Sequence, residues 1–260
     1  MDTQLLMTTA MLAGKLMLLS GAETYRVEDT IHHILGTAEN LEYAEVLVIM
    51  TGISATLKIK DEPAISLIKR VNSIGTNLSR IVSVNDISRR YCGGEISLED
   101  AYTELDSLQK KVYRRSQYSL AVVGICVGFS LLFGGSICEI IASFAVGAFL
   151  AICIAAGKLL KFHAFLLDIF AAIGVAFATI IMKFIFGRHM SMDVVMISCI
   201  MPLVPGVAIT NAVRDTLQGD YLSGAARLLE AFLKAAGIAL GIGIGLALFS
   251  GFILNGGAMS

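Results

Sequence analysis

From Ser119 onward, apolar runs dominate the chain and ionised residues are sparse, whereas residues 1 to about 117 carry most of the charge. A helix of about 20 apolar residues crosses the ~30 Å hydrocarbon core of a bilayer, and in lipid every backbone polar group must find its partner within the protein. The segregation therefore predicts an α-helical integral membrane protein of about five transmembrane helices, preceded by a small α+β soluble domain. The expected domains are residues 1–117 and 118–260, with spans near 118–133, 140–157, 163–186, 194–213 and 229–254. The formal net charge is −1 and neither part is strongly basic, so nothing points to nucleic acid as a partner.

Lys110, Lys111, Arg114 and Arg115, with Tyr113 among them, stand directly before the first apolar run. Basic residues concentrate on the cytoplasmic side of spans and can touch anionic lipid headgroups. With the N-terminal part inside, the inner loops also hold Lys158, Lys161, Arg214, Arg227 and Lys234, while the outer loops hold Lys183 and Arg188. The expected location is a cell membrane, with the soluble domain in the cytoplasm and the C-terminus outside. Cys92, Cys126, Cys138, Cys153 and Cys199 form neither a CxxC pair nor a zinc-type spacing. They read as small buried hydrophobes in a protein whose soluble part lies in a reducing compartment.

Within the soluble part, Leu5–Leu19 reads as an amphipathic helix, either of that domain or lying on the membrane. Ser20-x-x-Glu23 has the spacing of a capping box, and Gly21 can close the first helix. A second helix over 22–39 begins with a charged patch: Glu23, Tyr25, Arg26, Glu28 and Asp29. It is either a solvated, dipole-matched helix start or a surface that docks a partner or gates access. His32 and His33 are adjacent and point to different helix faces, a poor pair for a metal. Residues 44–51 and 54–60 read as a hairpin, Arg80–Val84 as a third strand, and a short helix capped by Ser83 or Asn85 stops at Gly93-Gly94. Ser97 opens a helix to about Ser116. No phosphate loop, nucleophile elbow or HExxH occurs, so no enzyme, cofactor or metal is expected.

The expected fourth span is interrupted by Pro202, Pro205 and Gly206, and ends in the polar cluster Asn211, Arg214 and Asp215. Proline breaks or kinks a helix, and a break at membrane depth is tolerated only where protein or a watered cavity covers it. Interrupted helices of this kind build substrate sites in transporters, so these six residues are candidates for a substrate or ion path. Asn211 lies one turn from both Arg214 and Asp215, and Arg214 suits a carboxylate. Asp168, inside the third expected span, joins the candidates because a charge there is costly. The alternative is a kink that only shapes packing. Glu139 and Asp193, at span ends, read as hydrated. Gly124 and Gly128, and Gly237, Gly241 and Gly245, are expected to let helix backbones approach closely, within the bundle or between subunits of a homo-oligomer.

Leu203-Val204-Pro205-Gly206, Asn211-Ala212, Asp215, Gly219, Gly224, Ala226 and Arg227, together with Ser20-Gly21-Ala22-Glu23-Thr24, resemble the signature of the threonine/serine exporter family. The chain is similar to the large subunit of that family's split, two-component form. The resemblance implies a secondary exporter of small carboxylates, such as succinate, or of threonine and serine, working with a small multi-span membrane subunit. Members of the fused form carry a second membrane half. A hydrolase-like activity of the soluble domain, or a purely regulatory subunit, is the alternative.

Overall fold

The computed structural model describes residues 2–72, 74–109 and 115–256, with side chains to residue 248. Of the basic flank, Lys110 to Arg114 lie outside the described residues, as does the tail from Gly257. The chain divides into two compact units, Met1–Val112 with Gly206–Glu230, and Tyr113–Pro205 with Ala231–Ser260. Residues 206–230, assigned by hydropathy to the membrane domain, fold with the first unit.

The first unit is arranged around α1 (Thr3–Leu19). Asp2 caps it, accepting from the backbone N–H groups of Gln4 and Leu5 at 3.0 and 3.1 Å. Leu6, Met7, Ala10, Met11, Ala13, Leu16, Met17 and Leu18 are all buried. These residues cover the full circumference, so α1 is a central core helix rather than an amphipathic one. It packs against α2 (Thr24–Leu35), α3 (Leu78–Cys92), α4 (Leu98–Gln109) and the sheet. The sheet is an antiparallel meander of β1 (Leu41–Ile49), β2 (Gly52–Ile59) and β3 (Ile65–Arg70). The expected hairpin is β1–β2, closed where Ile49 pairs with Gly52. On β2, Ile53, Ala55, Leu57 and Ile59 alternate into the core.

The third strand is not Arg80–Val84. That stretch belongs to α3, because Asn77 Oδ1 caps the Arg80 N–H at 3.0 Å and Ile81, Val84 and Ile87 recur at helical spacing on the buried face. Read alone, Ile81, Val82 and Val84 form a short β-branched run that suits a strand as well as a helix turn, which hides the difference in sequence. The helix does stop at Gly93. In α4, Ser97 Oγ accepts from the Asp100 N–H, and Arg90 clamps α3 to α4 by a two-pronged pair with Glu104 at 2.9 and 3.1 Å.

The second unit contains α5 (Arg115–Leu132), α6 (Ile137–Leu159), α7 (Ala164–Phe186), a short 3-10 turn, α8 (Met192–Ile200) and α10 (Tyr221–Gly256) from Ala231 on. Among the described residues, three helices are long and apolar enough to cross a membrane: Ile137–Leu159, Ala164–His189 and Tyr221–Leu248. Ser116–Leu132 is a shorter apolar helix. The expected fourth span is not one helix: α8 ends at Ile200, residues 201–205 form a turn, and α9 (Gly206–Leu217) starts anew. Small side chains fill the core of this unit, among them Cys126, Ala142, Val146, Ala171, Val175 and Cys199. Gly241 lies so close to α7 that a Cβ would sit 2.5 Å from the Ile169 carbonyl oxygen and 2.6 Å from Ala172 Cβ. Gly237 and Gly245 lie along the same helix, whereas Gly124 and Gly128 face nothing within 4 Å. Glu139 is buried rather than hydrated: it accepts from the backbone N–H groups of Ser136 and Ser191, tying the starts of α6 and α8 together.

Candidate functional site: a buried polar knot

α1 ends in a tight corner. Gly21 takes φ +83°, a conformation that disfavours any side chain, and a Cβ there would lie 2.7 Å from the Gly75 carbonyl oxygen. Ser20 does not form the expected capping box. Its hydroxyl donates back to the Leu16 carbonyl oxygen at 2.6 Å, and Glu23, at the N-cap position of α2, makes no side-chain cap bond. The corner leaves the backbone of Gly21, Ala22 and Thr24 in need of partners away from water.

Those partners come from α9 and α10, about 190 residues further on. Asp215 caps α2: Oδ1 accepts from the Thr24 N–H at 3.0 Å, and Oδ2 from the Thr24 hydroxyl at 3.1 Å. A carboxylate there also meets the positive end of the helix dipole. Asn211, one turn earlier on α9, donates to the Gly21 carbonyl oxygen at 2.7 Å. Arg227 donates to the Ala22 carbonyl oxygen at 2.7 Å, and its Nε lies 2.8 Å from Asp215 Oδ2. That close charge pair is not aligned as a hydrogen bond. Asp215 and Arg227 are 0% and 3% exposed, so their charges are neutralised by each other rather than by water. Gly224 permits this arrangement, since a Cβ there would collide with the Thr216 side chain and backbone of α9.

Around this centre the charged patch separates into parts. Glu23 Oε1 accepts from Arg214 at 2.6 Å, while Oε2 lies 3.4 Å from Arg26. Burial opposes the charge on Glu23, but its own backbone N–H and the two guanidiniums outweigh it and hold the carboxyl below the usual range. Glu28 accepts from the Val48 N–H at 2.8 Å. Burial, with repulsion from Asp220 and Asp215, pushes its carboxyl above the usual range despite that bond. Arg26 and Asp29 turn toward α3, and Tyr25 is half-buried.

Of the other candidates, Pro202 and Pro205 lie in the 201–205 turn and Gly206 opens α9 facing nothing within 4 Å. Asp168 is half-buried near the start of α7 in the second unit, within electrostatic reach of Tyr118, whose ring carries Lys158 Nζ at 4.2 Å. The structure thus brings Asn211, Arg214 and Asp215 together with Glu23, and adds two residues that the site reading lacked, Thr24 and Arg227. Both stand in the signature quoted from the sequence, which was the available signal for them. Among the described residues no group of acidic, histidine or cysteine side chains could hold a metal.

Apolar helices of spanning length beside an α+β unit define the class: a helical membrane protein. The chain belongs to the threonine/serine exporter family, since the model of that family, described as "Putative threonine/serine exporter", matches residues 8–249. It is 23% identical over 239 residues to the "Probable threonine/serine exporter" of Mycobacterium tuberculosis (strain ATCC 25618 / H37Rv). The alignment covers 90% of this chain and 44% of that protein, so the chain spans less than half of its relative. No solved structure matches the chain.

Proposed function

We propose that the chain is part of a secondary exporter of small carboxylates or hydroxy amino acids, succinate-like acids or threonine and serine, that a further, smaller membrane subunit completes. Family membership supports export, and one contact supports the site. Arg214 is 55% exposed on its side chain and is held by the Glu23 carboxylate at 2.6 Å. Glu23 stands where a solute carboxylate would stand, so a solute can compete for the same planar fork. The turn at 201–205 supports a path in the same way. α8 rises only about 14 Å over its nine residues, under half of the ~30 Å hydrocarbon core. Within the turn the Leu203 and Val204 N–H groups turn back to the Ile200 and Met201 carbonyl oxygens, and an interruption of this kind is where transporters build solute or ion paths. Asn211 and Asp215 hold the corner that positions Glu23 and Arg214 in this reading, and Asp168 is a separate candidate within the second unit. The protein sits in the cell membrane with residues 1–117 in the cytoplasm and residue 260 outside, which reporter fusions after Ser116 and after Ser260 test; both reporting the same side contradicts the topology.

The deciding experiment is efflux of succinate and of threonine from loaded vesicles, with and without a small multi-span partner, normalised to protein in the membrane. Arg214→Lys keeps the charge and loses the fork, so carboxylate efflux falls severalfold. Parent-rate export by Arg214→Lys and Asp215→Asn, both inserted normally, removes this stretch from the path.

A further inference from the structure

The charged start of α2 has a second face, which shares only Arg26 with the knot. Arg26, Asp29, Thr30 and His33 recur at i, i+3, i+4 and i+7 on α2, and Asn85, Ser88, Arg89 and Cys92 do so on α3. The two polar faces line one cleft of about 260 Å³. Facing helices in a core normally close on apolar side chains, and here eight polar or sulfur-bearing residues leave space instead. The cleft is roomy enough for several waters or a four-carbon acid and lies below the range for drug-sized ligands.

Its electrostatics select the ligand. Among the described residues Arg89 has no carboxylate partner, and it is exposed toward solvent. Arg26 has only the long 3.4 Å contact with Glu23, and 40% of its side chain is exposed. The Asp29 carboxylate lies 3.2 Å from His33 Nδ1, which also meets the Asp29 carbonyl oxygen at 2.8 Å. Two arginines thus line the cleft with one carboxylate that already has a neighbour, and Asn85 adds an amide to the lining.

We propose that the α2–α3 cleft is a binding site for a small carboxylate metabolite, held by Arg89 and Arg26, and separate from any transport path. Arg26 also links the cleft to the knot. A ligand that draws Arg26 away from Glu23 leaves Glu23 to Arg214 alone, so occupancy is read at the α1–α2 corner. This proposal does not depend on the chain exporting anything.

Cys92 supplies the readout. It lines the cleft and is exposed, whereas Cys126, Cys153 and Cys199 are buried and Cys138 is half-buried. The full chain in detergent is alkylated with a small neutral thiol reagent, and modification of the Cys92 peptide is followed by mass spectrometry. Succinate, threonine, inorganic phosphate and chloride at matched ionic strength are the probes. A carboxylate at tenfold its Kd should slow alkylation about tenfold by mass action. Arg89→Ala should abolish that protection, and Arg70→Ala, an exposed arginine on β3, should leave it intact, with unchanged melting in both. Comparing succinate with threonine shows which carboxylate is preferred. The proposal is overturned if no carboxylate protects beyond chloride, if phosphate protects and neither carboxylate does, or if protection survives in Arg89→Ala.

Discussion

α1 and α5 are apolar helices of nearly equal length, 17 and 18 residues, in opposite surroundings. Leu6, Met7, Met11, Leu16 and Met17 of α1 are sealed inside the first unit. On α5, Leu120, Leu131 and Leu132 are 72%, 58% and 74% exposed, while Val122 and Cys126 pack inward. Apolarity dictates that a surface leave water, and protein or lipid satisfies that equally. What separates the two helices is their neighbours: α1 is followed by segments that supply apolar faces to wrap it, and α5 by helices that are apolar themselves. α9 is the intermediate case. It follows a run that looks like a span, yet its polar face is claimed by the corner at the end of α1.

The largest expected effect breaks that claim. Arg227→Met leaves Asp215 buried without its cation and should cost about 3–5 kcal/mol of first-unit stability. Thermal unfolding in detergent, read together with protease cleavage between α1 and α2, checks it; a loss under 1 kcal/mol would mean that the pair is hydrated. Next comes the core itself: Leu16→Ala in α1 should cost about 2–5 kcal/mol as a buried cavity. On α5, Leu131→Ala should change stability by less than ~0.5 kcal/mol in the same assay. A loss there comparable to Leu16→Ala would show that protein covers α5, and the contrast between the helices would fail.

The pH dependence is smaller. Glu23 has its carboxyl depressed by folding, so its contribution is present above the ordinary carboxylate pKa and lost as pH falls through the folded value. Glu23→Gln should remove about 1 kcal/mol near neutrality, allowing for the solvent exposure of Arg214, and flatten the acid limb of a melting-temperature profile. Glu28 has the opposite sign. Its raised carboxyl favours the folded state below the ordinary pKa and weakens it as pH rises through the folded value. Glu28→Gln keeps an acceptor for the Val48 N–H and removes the repulsion, so a gain of a few tenths of a kcal/mol at pH 8 is expected; destabilisation there would mean that the charge is needed.

The sequence made much of this legible through periodicity and punctuation. The hairpin follows from alternation over 54–60, the end of α3 from Gly93-Gly94, and the interruption of the fourth apolar run from Pro202 and Pro205. The failures share a cause. Arg80–Val84 is a short β-branched run too brief to show a period, and Leu5–Leu19 is apolar nearly all round, so neither could be placed without knowing what packs on it. Ser20-x-x-Glu23 has the right spacing for a capping box, but a partner 191 positions away supplies a better cap.

By itself, then, the amino-acid order settles which segments must leave water, where helices must stop, and which polar residues are too costly to bury alone. Only the tertiary structure decides how those residues are satisfied. Asp215 and Arg227 are each unfavourable in a dry interior and become acceptable by meeting one another and the open backbone of the α1–α2 corner. Such pairing depends on distances through space, and the linear sequence carries no direct record of contacts between residues 24 and 215.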